Sequence, residues 1–256
     1  MDVAIDSKPR DRRRPTLRGT AGIVSWLHFG DLHLTTEGES NYQDFLRLVE
    51  DANRRLAQNV CFAVLPGDNA DDGSEEQYRL VRLAVDNLQI PLYAIPGDHD
   101  RKSGQLDSFR RYLEPEPIQS FTLAEYKFVF LNSMEGQAPE RFGFSRGQIE
   151  WLERELAAAK AEGLASILFM HTYPSELGHS SERVRDLLKI HRVPLVEMGH
   201  THYNELANDG RTIYAATRST GQIEEGPAGF SITNLDQGIV SWKFKPLGNW
   251  PFVMIT

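Results

Sequence analysis

The chain holds a single cysteine, Cys61, among 256 residues. That excludes an internal disulfide framework and fits a reducing compartment. It also lacks any apolar run approaching the roughly 20 residues that cross a bilayer. Cations are in deficit, 28 lysines and arginines against 36 aspartates and glutamates, for a net charge of −8. No basic stripe interleaved with aromatics offsets this, so a nucleic-acid partner is disfavoured, although an anionic substrate held beside bound cations is not. The arginine-rich start, RDRRRP, is not followed by the apolar core of a secretion signal, because residues 22–29 read as a strand. A cytoplasmic location and no membrane partner are therefore expected. What remains is the composition of a soluble globular protein, long enough to bury a substantial single core.

Residues 1–20 carry many charges and two prolines, Pro9 and Pro15, with little that can pack. They are expected to form a flexible basic tail, with a partner-contacting arm as the alternative. Residues 21–256 are expected to form one domain. Within it, strand-like runs at 23–29, 61–65, 92–95, 167–170 and 195–198 alternate with helical stretches. A helix is predicted over 40–58, where Phe45, Leu46, Val49, Ala52 and Leu56 recur at helical spacing. A second is predicted over 75–88. A third is expected over 145–162, opened by a capping box of Ser145 and Gln148, with Trp151, Leu152, Leu156 and Ala159 buried. Beyond His202 the pattern is strands only, at 203–207, 212–217, 229–233 and 239–245, with turns at Asn-Asp-Gly 208–210 and Asp-Gln-Gly 236–238. Alternation followed by strands favours an α/β fold with helices packed outside the sheets. The closing NWPFVMIT is apolar and reads as packing back on the domain or as leading into a longer parent.

Five clusters follow directly on the strand-like runs: Asp31-Leu32-His33, Gly67-Asp68, Gly97-Asp98-His99-Asp100, His171 and Gly199-His200-Thr201-His202. In a layered α/β fold, residues just past the carboxyl ends of neighbouring strands converge on one crevice. Imidazoles and carboxylates together suit Mn, Fe or Zn, whereas Cys61 sits in an apolar run and reads as core. Asp31 and His33 are two apart at a strand end and are expected on one side, a spacing that His200 and His202 repeat. Asp68 is suited to bridge two ions, with Gly67 leaving room for a tight turn. Any one of these histidines alone reads as a structural residue; it is the ordered set that points to a metal site. His28 reads as packed in the first strand, His191 as a surface residue, and His179 as surface or lining the substrate mouth.

In order and wording these clusters, GDLH, GDNAD, GDHD, HTYP and GHTH, resemble the calcineurin-like metallophosphoesterase superfamily. They are most similar to the bacterial branch holding cyclic-nucleotide and glycerophosphodiester phosphodiesterases. The resemblance implies a four-layer α/β/β/α sandwich of two mixed sheets with helices on both outer faces. It also implies two divalent metal ions (Mn, Fe or Zn). Asp31, His33, Asp68 and His202 would hold the first, and the shared Asp68 with Asp98, His171 and His200 the second. A metal-bound hydroxide would attack phosphorus in a small soluble phosphodiester. His99 would act as the catalytic histidine, its ring held by Asp100.

The last aspartate of GDNAD, Asp71, is expected to cap a turn rather than bind metal. Two departures stand out: Asp98 replaces the family's usual asparagine, and Thr172 follows His171 where relatives often carry a second histidine. The extra charge of Asp98 is expected to tighten the second metal and to disfavour dianionic monoesters; a neutral sequence variant is the alternative. Segments 69–77, 101–106, 133–145 and 172–182 are candidate walls of the substrate site, offering Arg101, Lys102, Arg141, Phe142 and Tyr173. The alternatives to a phosphodiesterase are a phosphomonoesterase of the same fold and a non-catalytic protein-binding scaffold, against which the complete ligand set argues. A homodimer through Trp242 or Tyr203 is the remaining partner expectation, with burial of both in the sheet pair preferred.

Overall fold

The computed structural model describes residues 15–16, 22–136, 141–221 and 226–248. Apart from Pro15 and Thr16, the expected tail lies outside these residues, as does the apolar close from 249. In chain order the elements are β1 (Val24–Phe29), α1 (Ser40–Leu56), β2 (Phe62–Leu65), α2 (Glu75–Asp86), β3 (Leu92–Ala94), α3 (Asp107–Tyr112), β4 (Gln119–Leu123) and β5 (Tyr126–Phe130). Then follow α4 (Arg146–Ala161), β6 (Ala165–Phe169), α5 (Ser181–Ile190), β7 (Leu195–Met198), β8 (Glu205–Asn208), β9 (Ile213–Ala216), β10 (Gly229–Asp236) and β11 (Ile239–Pro246).

The strands form two mixed sheets, ordered β11-β10-β1-β2-β3 and β4-β5-β6-β7-β9-β8. β1, β2 and β3 run parallel, and β10 adds antiparallel to β1. In the other sheet β5, β6, β7 and β9 run parallel, flanked by antiparallel β4 and β8. Period-two alternation sends Val24, Trp26, Phe62 and Val64 into one core with Phe128, Phe130, Ile167 and Phe169 of the second sheet. Trp26 stacks on Phe62 with 5.6 Å between centroids and meets Phe128 and Phe169 edge-on. The alternate residues, such as Leu27, Phe29, Leu168 and Val196, face outward and are covered by Phe45, Val49 and Ala52 of α1, Tyr78 and Val81 of α2, Leu152 and Leu156 of α4 and Val184 and Leu187 of α5. The result is the four-layer sandwich that the family resemblance implies.

Two local readings need correction. Ser145 caps α4 by accepting from the Gln148 N–H, but the Gln148 side chain does not return to Ser145. It reaches Asn132 instead, accepting from its N–H at 2.8 Å and donating to its carbonyl at 2.9 Å. Half a capping box forms, and its other half ties the helix to the loop after β5. Trp151 is only partly buried, the inner face being completed by Gln148. At the chain's later hairpin, Gln237 and Gly238 both take positive φ, 49° and 82°, as a two-residue type I′ turn requires.

Candidate metal centre

The loops after β1, β2 and β3 leave one sheet, and those after β6 and β7 leave the other, so the cluster sits where two sheets present their carboxyl ends. Leu32 and His33 donate their N–H groups to the Asp68 carbonyl at 2.9 and 2.8 Å, stitching the first loop to the second. Asn41, at the start of α1, donates to the His33 carbonyl at 2.5 Å, and Thr220 N–H donates to the Asp31 carbonyl at 2.8 Å.

β1 ends at Phe29 and β7 at Met198, so strand alternation does not orient the ligands. His33, Asp68, His200 and His202 instead take left-handed backbone, with φ of 45°, 50°, 66° and 62°. Each such residue costs on the order of 1–2 kcal/mol against ordinary backbone, strain concentrated on four of the residues expected to carry chemistry. Two glycines make the turns passable. Gly67 has φ of 113°, and a Cβ there would overlap the His171 ring. A Cβ on Gly199 would overlap the Asp31 carboxylate.

The seven expected ligands fall into two groups that share Asp68. Asp31, His33, Asp68 and His202 offer donor atoms within 4.8 Å of one another, and so do Asp68, Asp98, His171 and His200. His33 Nε2 lies 3.6 Å from Asp68 Oδ2 and 3.1 Å from His202 Nε2. His171 Nε2 lies 3.4 Å from Asp68 Oδ2 and 3.3 Å from Asp98 Oδ1, and His200 Nδ1 lies 3.7 Å from Asp98 Oδ1. Among the described residues, Asp31 Oδ1, Asp98 Oδ1 and His171 Nε2 are buried with no hydrogen-bond partner. Three orphaned donors aimed into a shared space fit cations, since a buried polar atom is otherwise paired. The His171 tautomer is fixed from behind, where Nδ1 donates to the Pro66 carbonyl at 2.9 Å and leaves Nε2 facing the group.

The electrostatics fit the same reading. Burial holds His33 and His200 down to about 4, so both are neutral imidazoles with lone pairs free to ligate. Burial, reinforced by Asp68 and Asp100, pushes the Asp31 carboxyl well above its usual range. Burial opposes charge on His171 too, yet Asp68, Asp98 and Asp31 together push it well up. Burial likewise opposes ionisation of Asp68, which His171 and His33 nevertheless hold below the ordinary carboxylate range. Crowded carboxylates relieved by a proton on His171 are the charge pattern that a dication would replace.

His99 faces the cluster, its ring 4.6 Å from that of His33, but Asp100 does not hold it. His99 Nδ1 donates to the Asp71 carbonyl at 2.7 Å. The Asp100 carboxylate is fully buried and points the other way, accepting from the N–H groups of Asn69, Ala70 and Gly97 and from the Asn69 amide at 2.8–3.0 Å. Its role as holder of the imidazole is thereby corrected to that of a tie between the second and third ligand loops. Asp71 also departs from the turn-cap reading. Its carboxylate lies 3.4 Å from His33 Nδ1, while neighbouring Asp72 accepts from the Ser74 N–H.

His28 is packed, with Nδ1 2.9 Å from Thr217 Oγ1, and His179 is exposed. Thr172 is buried and bonds to Glu176. Sequence reasoning missed Asn41 and Asn69, whose only signal is an amide next to a ligand loop. Of the wall candidates, Arg141 pairs with Asp98 and Phe142 packs edge-on against His200 at 4.9 Å, whereas Lys102 pairs with Asp72. Tyr203 is 46% exposed, against the preference for burial, and Trp242 is partly buried against the inter-sheet core. Among the described residues no helix is long and apolar enough to cross a membrane.

The calcineurin-like phosphoesterase family matches residues 25–204. A protein of Arcobacter nitrofigilis named "Probable glycerophosphodiester phosphodiesterase GpdQ" is 29% identical over 54% of this chain, a match spanning 55% of that relative's length. A protein of Fibrobacter succinogenes named "Probable cyclic nucleotide phosphodiesterase" is 24% identical over 83% of this chain and 84% of its own. The crystal structure of a dimetal phosphatase from Danio rerio superposes with a TM-score of 0.71 at 16% identity, covering 88% of this chain and 96% of that one, a likeness of fold.

Proposed function

The chain belongs to the calcineurin-like phosphoesterase family and is a metal-dependent phosphoester hydrolase, and from that premise we propose that it is a dinuclear phosphodiesterase for small soluble diesters. Cyclic nucleotides and glycerophosphodiesters are the two substrate classes in view, since relatives carry both names. The observation that carries this reading is the pair of four-donor groups sharing Asp68, with orphaned donors at Asp31, Asp98 and His171.

Asp31, His33, Asp68 and His202 would hold one ion, and Asp68, Asp98, His171 and His200 the other. When bound, such ions polarise a phosphoryl oxygen and bring the pKa of a coordinated water towards neutrality. The mixed donor set accepts Mn, Fe or Zn. His99 is the acid of this scheme. Because its Nδ1–H is committed to the Asp71 carbonyl, Nε2 is the nitrogen turned to the cluster, and a proton carried there can pass to the leaving oxygen. Asp71 and Pro66 orient imidazoles, and Asp100 fixes the loops that carry Asp68 and Asp98. The single buried cysteine goes with a cytoplasmic location.

Protein stripped of metal and reloaded with Mn is expected to hydrolyse bis(p-nitrophenyl) phosphate faster than p-nitrophenyl phosphate. His99→Ala is expected to lower diester turnover by roughly 10²–10⁴-fold, the usual contribution of a positioned acid. Preference for the monoester would overturn the phosphodiesterase reading in favour of a phosphatase. Mn binding without turnover of either ester would sink the assignment to these substrates.

A further inference from the structure

The loop between β5 and α4 leaves its mark on every unshared ligand of the second group. Its base is closed by Gly143, whose N–H donates to the Ser133 carbonyl and whose own carbonyl accepts from Glu135. Gly136 and Gly143 touch there, so a Cβ on either would strike the other strand of the loop. The closure presents two consecutive side chains to the site. Phe142 is buried against the rings of His171 and His200, at 6.0 and 4.9 Å between centroids. Arg141 reaches Asp98, bonding Oδ2 and leaving Oδ1 buried and unpartnered among the ligand atoms. The guanidinium is more than half exposed and also lies over the Phe142 ring.

Asp98 is the third carboxylate among the candidate ligands, and the guanidinium of Arg141 rests on it. With three carboxylates in the ligand set, two dications keep a single surplus positive charge; a guanidinium on the third carboxylate restores the surplus an asparagine would leave. With Oδ2 taken by the arginine, Oδ1 is the oxygen that would be left to hold an ion.

Resting on the dinuclear reading above, we propose that Arg141 and Asp98 are a charge-compensated pair, with Arg141 the residue that keeps this centre attractive to an anionic phosphoester. The pair carries no net charge, as a neutral amide at position 98 would. It makes the anion affinity of the site depend on a loop that contributes no metal ligand.

Two equilibrium readouts test this without turnover: Mn affinity of the stripped protein by calorimetry, and inorganic phosphate affinity of the Mn-loaded protein. Arg141→Gln is expected to weaken phosphate binding about tenfold, the size of one unit charge a few ångströms away at high effective dielectric. The same substitution is expected to tighten the weaker Mn site, because a competing cation has gone. Asp98→Asn is expected to move both affinities the opposite way, the double variant to return both close to wild type, and Arg141→Lys to keep phosphate binding within about threefold. Phosphate affinity unchanged in Arg141→Gln, or lowered in both single variants, overturns the pair while leaving the dinuclear reading intact. Fewer than two Mn bound by the wild-type protein overturns both.

Discussion

Four hydrogen-bond donors converge on the carboxylate of Asp100: the backbone N–H groups of Asn69, Ala70 and Gly97 and the amide of Asn69. Replacing it with alanine strands these donors in a buried site, which should cost about 3–5 kcal/mol. Asp100→Asn turns one acceptor into a donor facing donors and should lose a similar share. A lowered denaturation midpoint in both variants, with Mn affinity falling alongside, is the expected result. If stability held and only the pH profile of turnover moved, Asp100 would be acting on His99 after all. The gathering of the seven candidate ligands into two groups was legible because spacing after apolar runs survives any detail of the loops. Roles within a loop were not. The turn from Gly97 to Asp100, closed by an N–H to carbonyl contact at 3.3 Å, sends His99 outward and Asp100 inward. Adjacency in GDHD therefore says nothing about contact. The same limit hid the Asp98 partner, which lies 43 positions along the chain.

At the scale of elements, apolar periodicity located α1, α2, α4 and every strand that precedes a candidate ligand to within a few residues, since each buries one face against a neighbour. Boundaries slipped where chemistry overrides pattern. β8 begins at Glu205 rather than 203 because the left-handed His202 delays extended backbone. Sheet order was beyond reach, because β9 lies between β7 and β8, and β10 pairs with β1 across about 200 residues. The start of α4 shows how a local motif can serve a distant loop. Ser145 satisfies one helix N–H and its loss should cost about 1 kcal/mol. Gln148 satisfies both backbone groups of buried Asn132, just ahead of the loop carrying Arg141. Gln148→Ala should cost roughly 2–3 kcal/mol in urea unfolding, because two buried backbone groups lose their partner. Equal costs at the two positions would return Gln148 to a cap-only role.

The whole molecule depends on two sheets staying in register, because three carboxylates and His33 enter the candidate site from one and His171, His200 and His202 from the other. An aromatic core between the sheets supplies adhesion without direction, and a buried polar tie supplies the direction. Glu197 of β7 accepts from Trp26 Nε1 of β1 at 2.8 Å and from Thr233 Oγ1 of β10 at 2.5 Å, crossing the interface twice. His28 Nε2 is the other titratable atom facing it, at 4.0 Å. Burial raises Glu197 from 4.5 to about 7, the two hydrogen bonds only partly offsetting it. Between those values the folded chain keeps a proton that the unfolded chain releases, so stability falls as pH rises and stays reduced above 7. The full penalty is on the order of 3 kcal/mol.

His28, lowered by burial from 6.5 to about 3, has the opposite sign, its contribution being lost as pH falls through that range. The two terms overlap and partly cancel in the wild-type protein, so a single pH profile would not separate them. Glu197→Gln keeps an acceptor for Trp26 and removes only the first term. Urea unfolding of the metal-free proteins should show the variant gaining on wild type from about pH 5 to about pH 8, by up to ~3 kcal/mol. Ligand titrations are common to both proteins and drop out of the difference. A gap that did not change with pH would mean that Glu197 is ionised throughout, and the sheets would then be joined by a buried charge rather than by a neutral acid.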